Sequence, residues 1–265
     1  MLKRFITGLV SAGILVLFMF APSRWLRLAL MLITVWGVTE TLDAFTIVGH
    51  EPIRWPNFIA CALMIPAFLA LDAHAPLPML ALILMLTTLN IAVRVKPSWI
   101  DAAAALYAAF TVLVPMQMML AIDTLITPPG RWMVFGVFVI SLSGDVFALY
   151  IGHTWGTHRL NPALSPNKTW EGAAGGLVGS VIGALLLGWI GSRFAPLPKT
   201  SHWVALGLIG GAAGQLGDFS ASLVKRWCGI KDFGVVFPGH GGIMDRFDSV
   251  LFTTYVVYCY CLIFM

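Results

Sequence analysis

Charge is what this sequence has least of. Lysine, arginine, aspartate and glutamate make up only 11% of its 265 residues, against about 25% in an ordinary globular domain. A soluble fold of this composition would present a broad apolar surface to water, so that class is excluded. Cysteine is scarce as well. Cys61, Cys228, Cys259 and Cys261 form no CxxC pair, which argues against a disulfide framework or a zinc-cysteine centre. Three of them lie in or beside apolar runs and read as small buried hydrophobes. No Walker A or HExxH pattern occurs, so P-loop and zincin chemistry are not indicated. There is no low-complexity tract, no convincing repeat and no linker long enough to separate soluble domains.

What fills the chain instead is hydrocarbon: 59% of residues are hydrophobic and the mean hydropathy is +0.88. Nine apolar runs stand out, at about residues 5–21, 26–48, 57–73, 77–94, 100–126, 132–152, 173–192, 203–221 and 248–264. Each approaches the ~20 residues needed to cross a bilayer. None alternates with the period of a strand, and lipid tolerates only helices or closed barrels. The predicted fold class is therefore all-α, a polytopic integral membrane protein of about nine transmembrane helices. A single membrane domain spans 1–265, with an N-terminal helical half (1–130) and a chemically richer half (131–265). The first run follows Lys3 and Arg4 like a signal peptide, but no A-x-A-like site follows, so it reads as a membrane anchor.

Basic residues set the expected orientation. With the N-terminus inside, Lys3, Arg4, Arg54, Arg94, Lys96, Arg159, Lys168, Lys225, Arg226, Lys231 and Arg246 face the cytoplasm, whereas Arg24, Arg27, Arg131, Arg193 and Lys199 face out. Eleven against five places the N-terminus in the cytoplasm and, with nine spans, the C-terminus outside. Trp25, Trp55, Trp99, Trp132, Trp155 and Trp203 fall near run ends, where interface anchors belong.

Ionisable chemistry concentrates in two polar insertions, 153–171 and 222–247. On this topology both lie on the cytoplasmic side, separated by one helical hairpin. Before the first insertion, Asp145 sits within an apolar run, about two turns from its predicted end. A carboxylate there requires protein, water or a cation beside it, and a structural ion pair is one reading. In "SPNKTWEG", Ser165 stands where a helix N-cap would, with Pro166 at the first helical position. Such a helix start favours anions, and Lys168 adds positive charge beside Glu171. A capped helix entry alone accounts for Ser165 and Pro166.

The second insertion is richer. Asp218 lies about one turn before the predicted end of the eighth run. Ser222, Lys225 and Arg226 follow at helical spacing on the same face. "FPGHGGIMDRFD" then supplies a proline, three glycines, and Asp245 and Asp248 three residues apart. Hard cations such as Mg2+ take one or two carboxylates together with substrate phosphates. Asp218, Asp245 and Asp248 could supply the first, while Lys225, Arg226 and Lys231 hold the second. Membrane-surface attraction is the competing account of Lys225 and Arg226, but it gives no reason for interleaved carboxylates. His240 fits a ligand contact or a solvated loop. Glu40 and Asp43 read as interfacial acids near the end of the second run.

"SLVKRWCGIKDFGVVFPGHGGIMDRFDS", from Ser222 to Ser249, resembles the phosphatidate cytidylyltransferase (CDP-diacylglycerol synthase) family. The shared pattern is a serine, Lys-Arg, Lys-Asp, Pro-x-His-Gly-Gly and Asp-Arg-x-Asp, filled here by Ser222, Lys225, Arg226, Lys231, Asp232, Pro238, His240, Gly241, Gly242, Asp245, Arg246 and Asp248. "GDVFALYIGHTWGTHRLNPALSPNKTWEGAAGG" is similar to the family's second element. It departs in placing Leu149 between Ala148 and Tyr150, and Thr157 where a lysine often stands. The two elements cover roughly the C-terminal half; the other half matches loosely, in "LKRFITGLV".

The resemblance implies that CTP and phosphatidic acid give CDP-diacylglycerol and pyrophosphate. It implies metal at Asp218 and Asp245 with Asp248 assisting, and phosphate neutralisation by Lys225 and Arg226. Asp145, Ser165, Lys168, Glu171, Ser222, Lys231, His240 and Arg246 would bind substrate. It further implies Mg2+, with K+ as an accompanying candidate, a homodimer, and an active site on the cytoplasmic face of a bacterial inner (plasma) membrane. Two rivals remain at this stage. A transporter would use Asp145 and Asp218 along a path, and a related enzyme would use a different lipid phosphate as acceptor. A CDP-alcohol phosphotransferase is disfavoured, because its Asp-Gly-x-x-Ala-Arg motif is absent.

Overall fold

The computed structural model describes residues 20–125, 129–236 and 241–265. The expected first span, the anchor reading placed on it, and His240 lie outside those described residues, apart from positions 20 and 21. In chain order the elements are α1 (Ser23–Ile47), α2 (Trp55–Leu71), α3 (Pro76–Val93), α4 (Trp99–Ala108), α5 (Val114–Leu125) and α6 (Pro129–Trp155). A hairpin follows, β1 (Arg159–Asn161) with β2 (Ser165–Thr169), and then α7 (Trp170–Gly191), α8 (Thr200–Trp227) and α9 (Met244–Phe264). The all-α membrane class holds. Among the described residues, seven helical stretches are long and apolar enough to cross a bilayer: Ser23–Ile47, Trp55–His74, Pro76–Val93, Trp99–Thr124, Gly130–Trp155, Trp170–Gly191 and Met244–Phe264. The expected count of nine is not confirmed, since the first expected span lies outside the described residues and α8 falls short in hydropathy. The 28-residue α8 is about 42 Å long, but Gln215, Asp218 and its glycines dilute its hydropathy.

The described chain forms two compact units. One holds residues up to Ala121 together with Cys228–Arg246; the other holds Ile122–Trp227 with Phe247–Met265. Most of the second polar insertion therefore belongs with the N-terminal helices.

In the first unit, Pro56 lies at the start of α2 and Pro76 at the start of α3, where no intrahelical N–H is needed. Ser98 caps α4, its side chain accepting from Asp101 N at 3.3 Å. Several polar groups within the apolar helices find backbone partners, as burial favours, although Asn57 Oδ1 and Gln117 Oε1 have none. Asn57 Nδ2 donates to Ala105 O at 3.1 Å, and Gln117 Nε2 donates to Met64 O at 3.1 Å. Asp101 is buried, accepting from Glu51 N at 3.1 Å and Arg94 Nη1 at 2.9 Å. The run expected as one helix over 100–126 is interrupted by a π-helical turn at Ala109–Leu113.

In the second unit, α6, α7 and α8 pack backbone to backbone. Gly172, Gly176 and Ser180 follow at four-residue spacing on α7, as do Gly207 and Gly211 on α8. Small residues at this interval let transmembrane helices approach closely. A Cβ on Gly207 would lie 2.6 Å from Val181 Cα, and one on Gly217 would collide with the Asp248 carbonyl. Trp203, expected as an interface anchor, is instead 1% exposed, filling the space left by Gly136 and Gly188. Trp155, Trp170 and Trp227 are exposed at the end of α6, the start of α7 and the end of α8. Because the three helices alternate in direction, these tryptophans mark one end of the unit.

Candidate active site

The hairpin corrects one local expectation. Ser165 and Pro166 do not open a helix; they lie in β2, with Ser165 opposite Asn161. Asn161 Oδ1 accepts from Ala163 N at 3.1 Å and Leu164 N at 3.3 Å, an Asx turn that reverses the chain just before Ser165. The helix begins four residues later, where Thr169 is extended and its hydroxyl accepts from Gly172 N at 3.1 Å. Thr169 is the N-cap, and Glu171 stands in the first turn, favoured there by the helix dipole. Glu171 also clasps the start of the hairpin. Its carboxylate accepts from Thr157 Oγ1 at 2.7 Å and Thr157 N at 3.2 Å, and it meets His158 Nδ1 at 2.6 Å.

Between α6, the hairpin, α7 and α8 lies a cavity of about 590 Å³. Asp145, Lys168 and Asp218 line it, as the sequence led one to expect; Ser165 and Glu171 do not. Lys168 Nζ pairs with Asp218 Oδ2 at 2.5 Å and lies 4.1 Å from the centre of the Phe219 ring. Ser222, one turn on, reaches Asp218 Oδ1 at 3.5 Å. Asp145 is exposed to the cavity and accepts from Ser249 Oγ at 3.0 Å. Both aspartates sit deeper than expected, because the helices run on. Asp145 is nearly three turns before the end of α6, and Asp218 about two and a half before the end of α8.

Asp248 is buried, and the charges acting on its carboxyl are Asp218, Lys225 and Asp145. The second unit therefore gathers three carboxylates and two lysines. Arg226 Nε donates to Leu164 O at 3.2 Å, tying α8 to the hairpin. His153, Arg159, Asn167 and Gln215 also line the cavity. Sequence reasoning had not selected them, although Gln215 precedes Asp218 by three residues and so shares its face.

The first unit holds the remaining positions. Lys231 and Arg246 are exposed. Asp245 is half-buried, its Oδ2 accepting from Phe233 N at 2.7 Å and Gly242 N at 3.0 Å. Gly241 takes φ +80° at this turn, a left-handed conformation that suits glycine. Glu40 on α1, read as an interfacial acid, is buried, and its Oε2 accepts from Met244 N at 2.9 Å.

Mg2+ is ordinarily held by one or two carboxylates together with substrate phosphates rather than by an all-protein cage. Among the described residues no three His, Cys, Asp or Glu side chains form such a cage. Asp218, which lines the cavity and whose charge acts on the buried Asp248, is a carboxylate of the kind that requirement calls for.

Comparison with known proteins agrees with the motif reading. Phosphatidate cytidylyltransferase of Rickettsia bellii is 34% identical over 150 residues, which cover 56% of this chain and 65% of that protein. The Bacillus subtilis protein of the same name is 42% identical over 130 residues, 49% of this chain and 47% of its own length. Phosphatidate cytidylyltransferase 4, chloroplastic, of Arabidopsis thaliana is 40% identical over 127 residues, 46% and 31% respectively. The chain spans less than two-thirds of the length of these relatives. The sequence profile of the cytidylyltransferase family, however, matches residues 2–264, so the chain belongs to that family.

Proposed function

We propose that this chain is a phosphatidate cytidylyltransferase, joining CTP to phosphatidic acid to give CDP-diacylglycerol and pyrophosphate. The observation that carries this reading is the grouping of Lys168, Asp218 and Asp145 around one cavity at the tryptophan-marked end of apolar helices. A site there can meet a water-soluble nucleotide and a lipid phosphate at once. Its relatives bear the matching name.

In this reading a phosphate oxygen of the lipid attacks the α-phosphorus of CTP. The bond from that phosphorus to the α,β-bridging oxygen breaks, and pyrophosphate departs in line. Such transfers depend on positioning and charge neutralisation rather than on a protein nucleophile. Lys168 and Lys225 neutralise phosphate oxygens, and Arg226 adds a guanidinium at the hairpin. Asp218 and Asp245, with Asp248 assisting, would hold Mg2+, the metal set implied by the family pattern. Bound Mg2+ would supply charge neutralisation and polarise the phosphate oxygens. We assign Asp145, Ser165, Glu171, Ser222, Lys231, His240 and Arg246 to substrate binding on the same pattern. K+ as a second ion, a homodimer, and a cytoplasm-facing site in a bacterial inner membrane complete the proposal.

Purified protein in detergent, given CTP, phosphatidic acid and Mg2+, should form CDP-diacylglycerol with stoichiometric pyrophosphate. Absence of product, or solute flux without CTP consumption after reconstitution, would overturn the reading.

A further inference from the structure

Glu40 is an acid with no assigned task, 6% exposed about two turns before the end of α1. Burying a carboxylate is costly unless its oxygens are matched to donors. Glu40 Oε2 finds its donor far away in sequence, the backbone N–H of Met244 at 2.9 Å, with the Ile243 N–H also acting on the carboxylate, while Oε1 is buried without a hydrogen-bond partner. Met244 is the first residue of α9. The first N–H groups of a helix lack intrahelical acceptors and favour negative charge. In most helices a residue just before the start satisfies them. Here the acceptor comes from another helix, and Gly241 and Gly242 precede α9 without a side chain that could do so.

The surrounding chain is shaped to admit this carboxylate. A Cβ on Gly242 would lie 2.5 Å from Glu40 Cδ, and one on Gly234 would lie 2.7 Å from it. Both glycines therefore leave room for Glu40. The next residue of α9, Asp245, takes Phe233 N and Gly242 N on its own Oδ2. Two carboxylates thus hold the same turn. Asp245 also acts on Glu40 electrostatically, each carboxylate holding its own backbone donors.

We infer that Glu40 is a positioning residue: it caps α9 from α1 and fixes the first turn of that helix, and with it the direction of the Asp245 side chain. The inference rests on the proposed cytidylyl transfer, because Asp245 has its metal role only there. What Glu40 contributes is reach and hydrogen-bond acceptance rather than charge as such. Glutamine keeps both; aspartate keeps the charge and is one methylene too short.

The test compares Glu40→Gln, Glu40→Asp and Glu40→Ala in full-length protein purified in detergent. Hydrogen–deuterium exchange of peptides covering 241–250 reads the cap directly. CDP-diacylglycerol formation across Mg2+ concentrations reads its effect on Asp245. Loss of a cap corresponds to roughly a tenfold opening of the turn. Glu40→Ala and Glu40→Asp should accordingly exchange about tenfold faster in that peptide and need several-fold more Mg2+ for half-maximal rate. Glu40→Gln should stay within about threefold of the parent in both. Gly242→Ala, which crowds the carboxylate, should behave like Glu40→Ala. Parent-like exchange at 241–250 in Glu40→Ala would overturn the cap, as would an impaired Gln variant beside an intact Asp variant. If Glu40→Ala cannot be recovered folded, the Gln and Asp pair decides alone. Failure of the parent protein to make product would count against the proposed reaction, while the exchange measurements would still decide the cap.

Discussion

Lys168 and Asp218 face each other across the cavity at 2.5 Å, the lysine from β2 and the aspartate from α8. The ammonium also lies over the Phe219 ring, so its position is set by an acid and an aromatic face together. The pair neutralises itself while no phosphate is present. In the proposed reaction, an entering phosphate would compete with Asp218 for the lysine.

Lys168→Met should lower kcat/KM for CTP by about 10- to 100-fold, the scale of losing one charge-assisted contact that matters in the transition state. Lys168→Arg should recover only part, because a planar fork does not reproduce a compact ammonium. Steady-state kinetics with purified variants checks both. Unchanged KM and kcat in Lys168→Met would remove the lysine from the site.

Asp218→Asn, Asp248→Asn and Asp245→Asn should each cut Mg2+-dependent turnover by about 100-fold or more, as loss of a metal-holding or phosphate-facing charge does. The variants should still elute as folded protein. Near-normal turnover in any one would strike that residue from the metal set, and only that residue.

Metal removal should stop the reaction without unfolding the protein, since the interior among the described residues is built from apolar and glycine contacts. Treatment with EDTA should abolish CDP-diacylglycerol formation, and excess Mg2+ should restore it. Thermal unfolding of the chelated protein should match that of the untreated one. Metal-independent turnover would contradict the assignment.

Gly207→Val should destabilise the second unit by about 1–3 kcal/mol, the usual cost of overpacking a tight contact, because its Cβ would press on Val181. Ala212→Leu on the exposed side of the same helix should be tolerated. Thermal unfolding in detergent separates the two. Equal effects would mean that the α7–α8 approach is looser than described.

Apolar runs made α1, α2, α3, α6, α7 and α9 legible in the sequence to within a few residues, because each had to cover about 30 Å of hydrocarbon. The π-helical turn at Ala109–Leu113 left no such trace; it changes hydrogen-bond spacing without changing hydrophobicity. At Ser165, a convincing local signal lost to a stronger pair of them, the Asx turn at Asn161 and the cap at Thr169. Lys168, Asp145 and Asp218 were found because charges stand out in apolar surroundings. Glu40 stood out equally but was misread, since its partner Met244 lies 204 residues away and no spacing rule reaches that far.

Trp155, Trp170 and Trp227 fix more than the orientation of three helices. Under the proposed function these indoles would lie at the headgroup level, where such rings prefer to reside, with the cavity opening beside them. In the proposed reaction, phosphatidic acid would then arrive by lateral diffusion within the sheet of lipid, and only CTP would come from three dimensions. Saturation should follow the mole fraction of phosphatidic acid in the bilayer, not its total concentration in the tube. Diluting it with phosphatidylcholine at constant total phosphatidic acid should slow the enzyme, whereas doubling the vesicles at constant composition should leave the rate per protein unchanged.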